Sequence, residues 1–375
     1  MRPSTRPDGA RRRRALVTVL ILITLALVAF PAVANAGHIA SRFTAPPPPD
    51  PTMENQAAPQ VSQDGVAWQV GGDDMFLMGY VWKIGDAAAA ERDEFKWASS
   101  FDYANWDTSH VVVYCLNWEE APDEVWVSDG TTSLKIAGGV NDARNPRIAG
   151  TRVVWEERVA GSWDILSAEI DRDTLTPGAT VVVCDARGDQ KSPDVDSGVV
   201  VWQDKRSGQW DIYVRDLNLG TAKRVTTGRA KQVHPRIDDD WVVWEDYRNA
   251  GYGSDVYARR AGLVWSASDG WHWELRAVRS VCHARKHQLE PDVGGGFIVW
   301  TDHRNAGALV GGTPPDTDIR GYEIRSRDRF KITGTGDGTQ RSPDLEYRTV
   351  VYASFSSTHM GQPWGGRVKG AHLQH

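Results

Sequence analysis

A proline followed nine residues later by an aromatic recurs along this 375-residue chain, and the repeat limits what the chain can fold into. Pro59 precedes Trp68, Pro146 precedes Trp155, Pro193 precedes Trp202, Pro235 precedes Trp244, Pro291 precedes Trp300, and Pro343 stands at the same interval before Tyr352. With Asn105 and Tyr114 read as a degenerate copy, the anchors fall at 59, 105, 146, 193, 235, 291 and 343, at spacings of 46, 41, 47, 42, 56 and 52. A near-constant period of this size marks stacked or circular repeats.

The copy around Pro193 shows what one repeat builds. Pro193 opens a short strand, Asp196-Ser197-Gly198 turns the chain, and Val199-Val200-Val201-Trp202 is a β-branched and aromatic run with the signature of a buried strand. After Lys205 a third strand alternates through Asp211-Ile212-Tyr213-Val214-Arg215, and a fourth follows Gly220. Such a four-stranded meander cannot bury both its faces alone, so copies must stack, and closing the stack into a ring removes most exposed edges. The expectation is an all-β, seven-bladed propeller of four-stranded antiparallel blades over 55–375.

Several motifs recur in register with the proline and the tryptophan. Asp204-Lys205-Arg206 is followed by Asp211-Ile212-Tyr213, Asp246-Tyr247-Arg248 by Asp255-Val256-Tyr257, and Asp302-His303-Arg304 by Asp318-Ile319. This pattern resembles the TolB-like and WD40-like β-propeller family of exported proteins. The resemblance spans about residues 55–375 and implies a propeller that interacts rather than turns over a substrate, with no particular partner attached. The copy at Asn105 lacks both the proline and the Asp-x-Arg. The last copy shows no fourth strand after 367–373, and the proline run 46–49 cannot donate ladder hydrogen bonds, so the expected final blade is incomplete.

The first residues read as an address. Arg11-Arg12-Arg13-Arg14, an apolar run over 15–30 and Ala34-Asn35-Ala36 make a signal peptide over 1–36, the apolar run being shorter than a membrane span. Residues 37–54 then read as a proline-rich spacer. The location expected is secreted or at the cell surface or envelope, with no membrane insertion after cleavage. Residues 1–36 carry six arginines against one aspartate, so cleavage takes the formal charge from −6 to −11. So acidic a product disfavours nucleic acid as a partner. The three cysteines leave at least one thiol unpaired, and Cys184 and Cys282 each stand nine residues before a repeat proline, which places them on the outer strands of separate blades and forbids a bridge between them.

No spacing typical of hydrolases, phosphate loops or metal sites is present, so no catalytic residue, metal or cofactor is assigned. Asp238-Asp239-Asp240 falls in a hairpin turn, and neither Glu119-Glu120 nor Glu156-Glu157 converges as an acid and base must. The loops that lead into each first strand carry more. Gln56, Gln190, Gln232, Gln288 and Gln340 lie three residues before the repeat prolines, where their amides suit bonds to a neighbouring blade's backbone. Arg187, Arg229 and Arg285 lie six before, and Lys191, Lys231, His234, Lys286, His287 and Arg341 accompany them. A basic rim on an acidic body is an anion-facing site in outline. The competing reading is structural, with these arginines and Arg206, Arg248 and Arg304 bracing Asp204, Asp246 and Asp302 across blades. The expected function is a non-catalytic binding or scaffolding module for a protein or an acidic glycan. The alternative is a polysaccharide lyase or glycoside hydrolase using His234, His287 and Arg285 at the channel mouth.

Overall fold

The computed structural model describes residues 38–375 apart from 46–54, 64, 72–76, 85, 87–89, 93–97, 107–108, 118–119, 250, 252, 306–315, 334–337 and 356–365. The segment read as a signal peptide, 1–36, lies outside the described residues. Seven antiparallel sheets follow one another in chain order, as blades one (55–92), two (98–138), three (143–184), four (190–224), five (232–282), six (288–331) and seven (339–373). Blade five carries an extra hairpin. Its third strand, Asp255–Ser266, runs on beyond the sheet and folds back through Gly270–Leu275 before Arg279–Cys282 completes the blade.

Blade seven is complete, contrary to the expectation. Its fourth strand is Ile39–Thr44, paired antiparallel with Gly366–Leu373 from Ile39 opposite Leu373 to Thr44 opposite Lys369. The closing strand comes from the stretch read as spacer and ends just before the prolines that argued against it. His38 Nε2 and His375 Nδ1 both bond Glu323 of blade six, at 3.2 and 2.6 Å, while stacking on Phe330 and Phe297 respectively. With Asp328, His38 and Glu323 bring three potential metal-ligand atoms within 4.8 Å of one another, two of them already engaged in the His38–Glu323 bond.

The repeat aromatics account for the stacking. Trp68, Trp155, Trp202, Trp244 and Trp300 are the five largest fully buried side chains, and each joins a cluster containing core residues of the preceding blade. Trp202 meets Val154, Ile165 and Val183 of blade three, and Trp68 meets Val351 and Val368 of blade seven. Tyr114 and Tyr352 hold the same place in blades two and seven. In blade two, Asp102 pairs with Val113 as Arg147 pairs with Val154 in blade three, so Phe101 and not Asn105 occupies the proline position. That hairpin is longer than the others.

The proline has a local cause. The residue before it breaks the ladder register and adopts a left-handed backbone, with φ near 50° at Asn145, Ser192, His234, Glu290 and Ser342. The N–H freed there reaches an acceptor on the preceding blade in four cases: Ser192 on Glu156 at 2.7 Å, His234 on Gln203 at 2.9 Å, Glu290 on Glu245 at 3.0 Å and Ser342 on Glu290 at 2.8 Å. Proline, lacking an N–H, suits the first strand, which is the inner edge of each sheet.

One residue further on, every blade contributes to a ring in the channel: Gln60, Asp102, Arg147, Asp194, Arg236, Asp292 and Asp344. The four aspartates accept the N–H of the next blade, from Ile148, Ile237, Leu345 and, across the closure, Val61. Arg147 spans the channel, with ion pairs to Asp102 at 3.2 Å, Asp194 at 3.1 Å and Asp344 at 4.0 Å and a 2.9 Å bond to Gln60. Burial pushes Asp344 up to about 6 and Glu346, next along the channel, up to about 8, helped by the neighbouring carboxylates.

Cys115, Cys184 and Cys282 are all free and buried, and Cys184 and Cys282 lie on the outer strands of blades three and five as their register predicts. Burial pushes each thiol up to about 11. A thiol is attacked as its thiolate, so an aromatic disulfide reagent at pH 8 is expected to label none of them in the native protein within minutes and all three in denaturant. Rapid native labelling, or a Cys184–Cys282 peptide in non-reducing mass spectra, would refute the burial and the blade assignment.

Candidate functional site

The Asp-x-Arg motif proves to be local architecture. Asp204 accepts Trp202 Nε1 at 2.9 Å and binds Arg206 Nε and a terminal amine at 2.9 and 2.6 Å, while the Arg206 guanidinium lies 4.3 Å over Tyr213. Asp246 with Trp244, Arg248 and Tyr257 repeats this, as does Asp302 with Trp300 and Arg304. The pairs are made within one blade. This corrects the cross-blade bracing considered from sequence and leaves Arg187, Arg229 and Arg285 out of it. Those three are exposed and form no ion pair among the described residues.

The lead-in loops and the Asp-x-Arg loops share a face, as Lys205 N bonds Asp189 O, Tyr247 N bonds Lys231 O and His303 N bonds His287 O. The buried glutamines hold these loops in shape. Gln190 Nε2 donates to Ala186 O and Gly188 O, Gln232 to Ala230 O, Gln288 to Lys286 O and Gln340 to Gly338 O. They close their own loops and not the neighbouring blade. The side chain of Gln56 lies outside the described residues.

Several of the expected rim residues meet where blades five and six adjoin. His234 Nδ1 lies 3.1 Å from Glu245 Oε1, and Tyr247 donates to Glu245 Oε2 at 3.2 Å. Lys231 Nζ stands 3.8 Å over the Tyr247 ring, and His287 lies 6.4 Å from that ring while its Nδ1 takes the Ser254 N–H at 3.2 Å. Burial and the adjacent Glu245 push Tyr247 up to about 12, so it stays a donor. Burial lowers His303, opposed by Glu290, so the ring is neutral at physiological pH. Arg285 and Lys286 flank His287 on the exposed lead-in loop. Arg187 stands one blade earlier, and Arg341 one blade later, where it lies 4.6 Å over Phe355.

Sequence reasoning missed the aromatics of this face. Arg144 and Lys191 lie 3.7 and 5.7 Å from the Trp163 ring, and Lys205 lies 5.6 Å from Trp210. Trp163 and Trp210 each stand directly before the Asp-Ile of the third strands of blades three and four, a recurrence legible in the sequence, while Tyr247 follows the second strand of blade five. Cations beside aromatic faces on an exposed surface suit a ligand with apolar faces and acidic substituents.

No protein-family model and no curated protein matches this sequence. Among solved structures, the β-propeller domain of the Trilobed protease from Pyrococcus furiosus is similar at a TM-score of 0.57 and 12% identity, over 82% of this chain and 93% of that one. That propeller is described as having an open velcro topology; here the closing strand Ile39–Thr44 seals the ring. A puromycin-hydrolyzing peptidase of Mycobacterium tuberculosis has a TM-score of 0.57 and 12% identity over 82% of this chain, which spans 51% of the peptidase. TolB from Acinetobacter baumannii has a TM-score of 0.45 and 12% identity, over 84% of this chain and 78% of that one. At these identities the likeness is one of fold, and the fold is a seven-bladed β-propeller.

Proposed function

We propose that this propeller is a binding module exported to the envelope or the outside of the cell, and that its lead-in face holds an acidic glycan or an acidic segment of a protein. The observation that carries the reading is that Arg187, Arg229 and Arg285, on three consecutive blades, are exposed and form no ion pair among the described residues while the Asp-x-Arg arginines beside them are committed to their own aspartates. Such guanidinium groups on an acidic body offer charge-assisted bonds to carboxylates. The Arg229→Ala/Arg285→Ala variant is expected to keep its melting temperature within about 2 °C, because surface changes of this kind cost little. Retention on immobilised polygalacturonate, expected to weaken with salt for the native chain, should lose most of that salt dependence in the variant. Early unfolding would make the arginines braces, and unchanged retention would place binding elsewhere.

A second reading rests on the His234–Glu245–Tyr247 group. A histidine oriented by a buried carboxylate, with Arg285 and His287 on the adjoining lead-in loop of blade six, has the parts that proton abstraction from a uronate requires. It would appear as unsaturated product accumulating from polygalacturonate and vanishing in His234→Ala. Under the binding reading no product forms.

A further inference from the structure

A second basic site lies between blades five and six, at the opposite ends of the strands from the lead-in loops. The second strand of blade five, Trp241–Asp246, starts at the Asp238-Asp239-Asp240 turn, and the third runs back to it, pairing Arg260 with Trp241. A cavity of about 760 Å³ opens at this end, and its lining includes Arg260, Arg276, Arg279, Arg327 and Arg329. No described residue lining it is a carboxylate. Five guanidinium groups face one space, and although Asp240 and Glu274 outside it each hold one of them, on a chain of net charge −6 this is a local excess of positive charge.

Two of the five are fixed in place by backbone. Arg279 lies 4.6 Å over Trp241 and donates to Ile324 O of blade six at 3.1 Å. Arg329 donates to Val281 O and Ser280 O of blade five and lies 5.6 Å over Tyr322. A guanidinium has five N–H donors, so each keeps donors free after these bonds. Their positions are set before any ligand arrives, which lowers the entropy lost on binding. Arg260 and Arg276 are exposed at the base of the projecting hairpin and held by Asp240 and Glu274. Arg327 is exposed, has no ion pair among the described residues, and sits at φ 69° in the turn after Glu323.

We propose that this cavity binds a small polyanion, a molecule of phosphosugar or sulfated-disaccharide size bearing two or more oxyanion groups. The volume is that of a small-molecule site, and guanidinium geometry matches phosphate, sulfate and carboxylate alike. The acidic body around it disfavours an extended polymer such as DNA. The site shares no residue with the lead-in face and does not rest on the function proposed there.

The test is calorimetric titration of the whole chain with inorganic pyrophosphate, sucrose octasulfate and citrate, which separates phosphate, sulfate and carboxylate as the preferred group without using the uronate chain assigned to the lead-in face. At least one is expected to bind. Its Kd should rise tenfold or more in Arg276→Ala/Arg327→Ala and stay within twofold in Arg229→Ala/Arg285→Ala. Absence of binding by all three probes, an unchanged Kd in the cavity variant, or a loss confined to the lead-in variant would overturn the proposal, as would preferential binding of a DNA duplex. Should the cavity variant melt early, the unaltered protein still decides the matter. A bound probe should shield Arg276 and Arg327 from phenylglyoxal, read by peptide mass spectrometry, and unshielded modification would count against the site.

Discussion

Replacing Arg147 by methionine is expected to cost about 3–5 kcal/mol of stability at pH 8, the loss that follows when one partner of a buried ion pair is removed. Among the described residues, Arg147 is the one group that reaches Asp102, Asp194 and Asp344 together. Burial works against its charge, but those carboxylates more than offset this and hold it protonated. Without it, four channel aspartates share Arg236, which approaches Asp292 only to 3.8 Å. The pH dependence has a definite sign. Asp344 at about 6 and Glu346 at about 8 lie above the values of an unfolded chain, so between those limits the folded state binds more protons and stability falls as pH rises. Removing Arg147 takes away a charge that holds Asp102, Asp292 and Asp344 down and so pushes these three further up, and the penalty should shrink towards pH 5 and be greatest above pH 8. Adding Asp344→Asn, which keeps an acceptor for Val61 N, should restore part of the loss. Denaturant melts at pH 5, 7 and 8.5 measure this, and a loss below 1 kcal/mol at pH 8 would show that water already solvates the ring.

Trp202→Ala should cost a similar amount, about 3–5 kcal/mol, as large-to-small changes of buried aromatics do. Its ring is fully buried among Val154, Ile165 and Val183 of blade three and Val195 and Val200 of its own blade, so the cavity left behind lies between two sheets and neither can collapse into it alone. The indole N–H to Asp204 is lost as well, though Arg206 keeps that carboxylate paired. Trp265, 63% exposed at the tip of the projecting hairpin, is the control, since its replacement by alanine should change stability by less than about 0.5 kcal/mol. Equal effects of the two changes would show that the repeat tryptophans are not the contacts between blades.

The architecture was legible wherever one hairpin length recurs. The nine-residue interval from Pro193 to Trp202 is the span of a fixed turn between two strands, and both ends have physical causes, a left-handed backbone before the proline and a ring buried on the previous blade. Where the hairpin lengthens, as between Phe101 and Tyr114, the same interval points to Asn105 and misses. The closing strand was hidden for another reason: 39–44 shows little apolar alternation, because in an outer strand most of its side chains face solvent. The channel ring was hidden by distance, since nothing local links Arg147 to Asp344. At the lead-in face the basic residues could be read from their register, but their pairing with aromatics and with Glu245 could not, because it depends on which strand ends fold beside one another, within a blade for Lys231 on Tyr247 and His234 on Glu245 and between blades for Lys191 on Trp163.

Ile39–Thr44 and Gly366–Leu373 share a blade yet lie more than 320 residues apart in the chain. At about 5–20 residues per second, the first strand of the ring waits roughly 20–60 s for its partner. During that interval it must remain unpaired without recruiting another chain. Its exposed Ser41 and Arg42 suit it to waiting, since charge on a strand edge discourages pairing between molecules. Once docked, Arg42 bonds Ile332 O of blade six, so the residue that guards the strand during synthesis also fastens the finished ring.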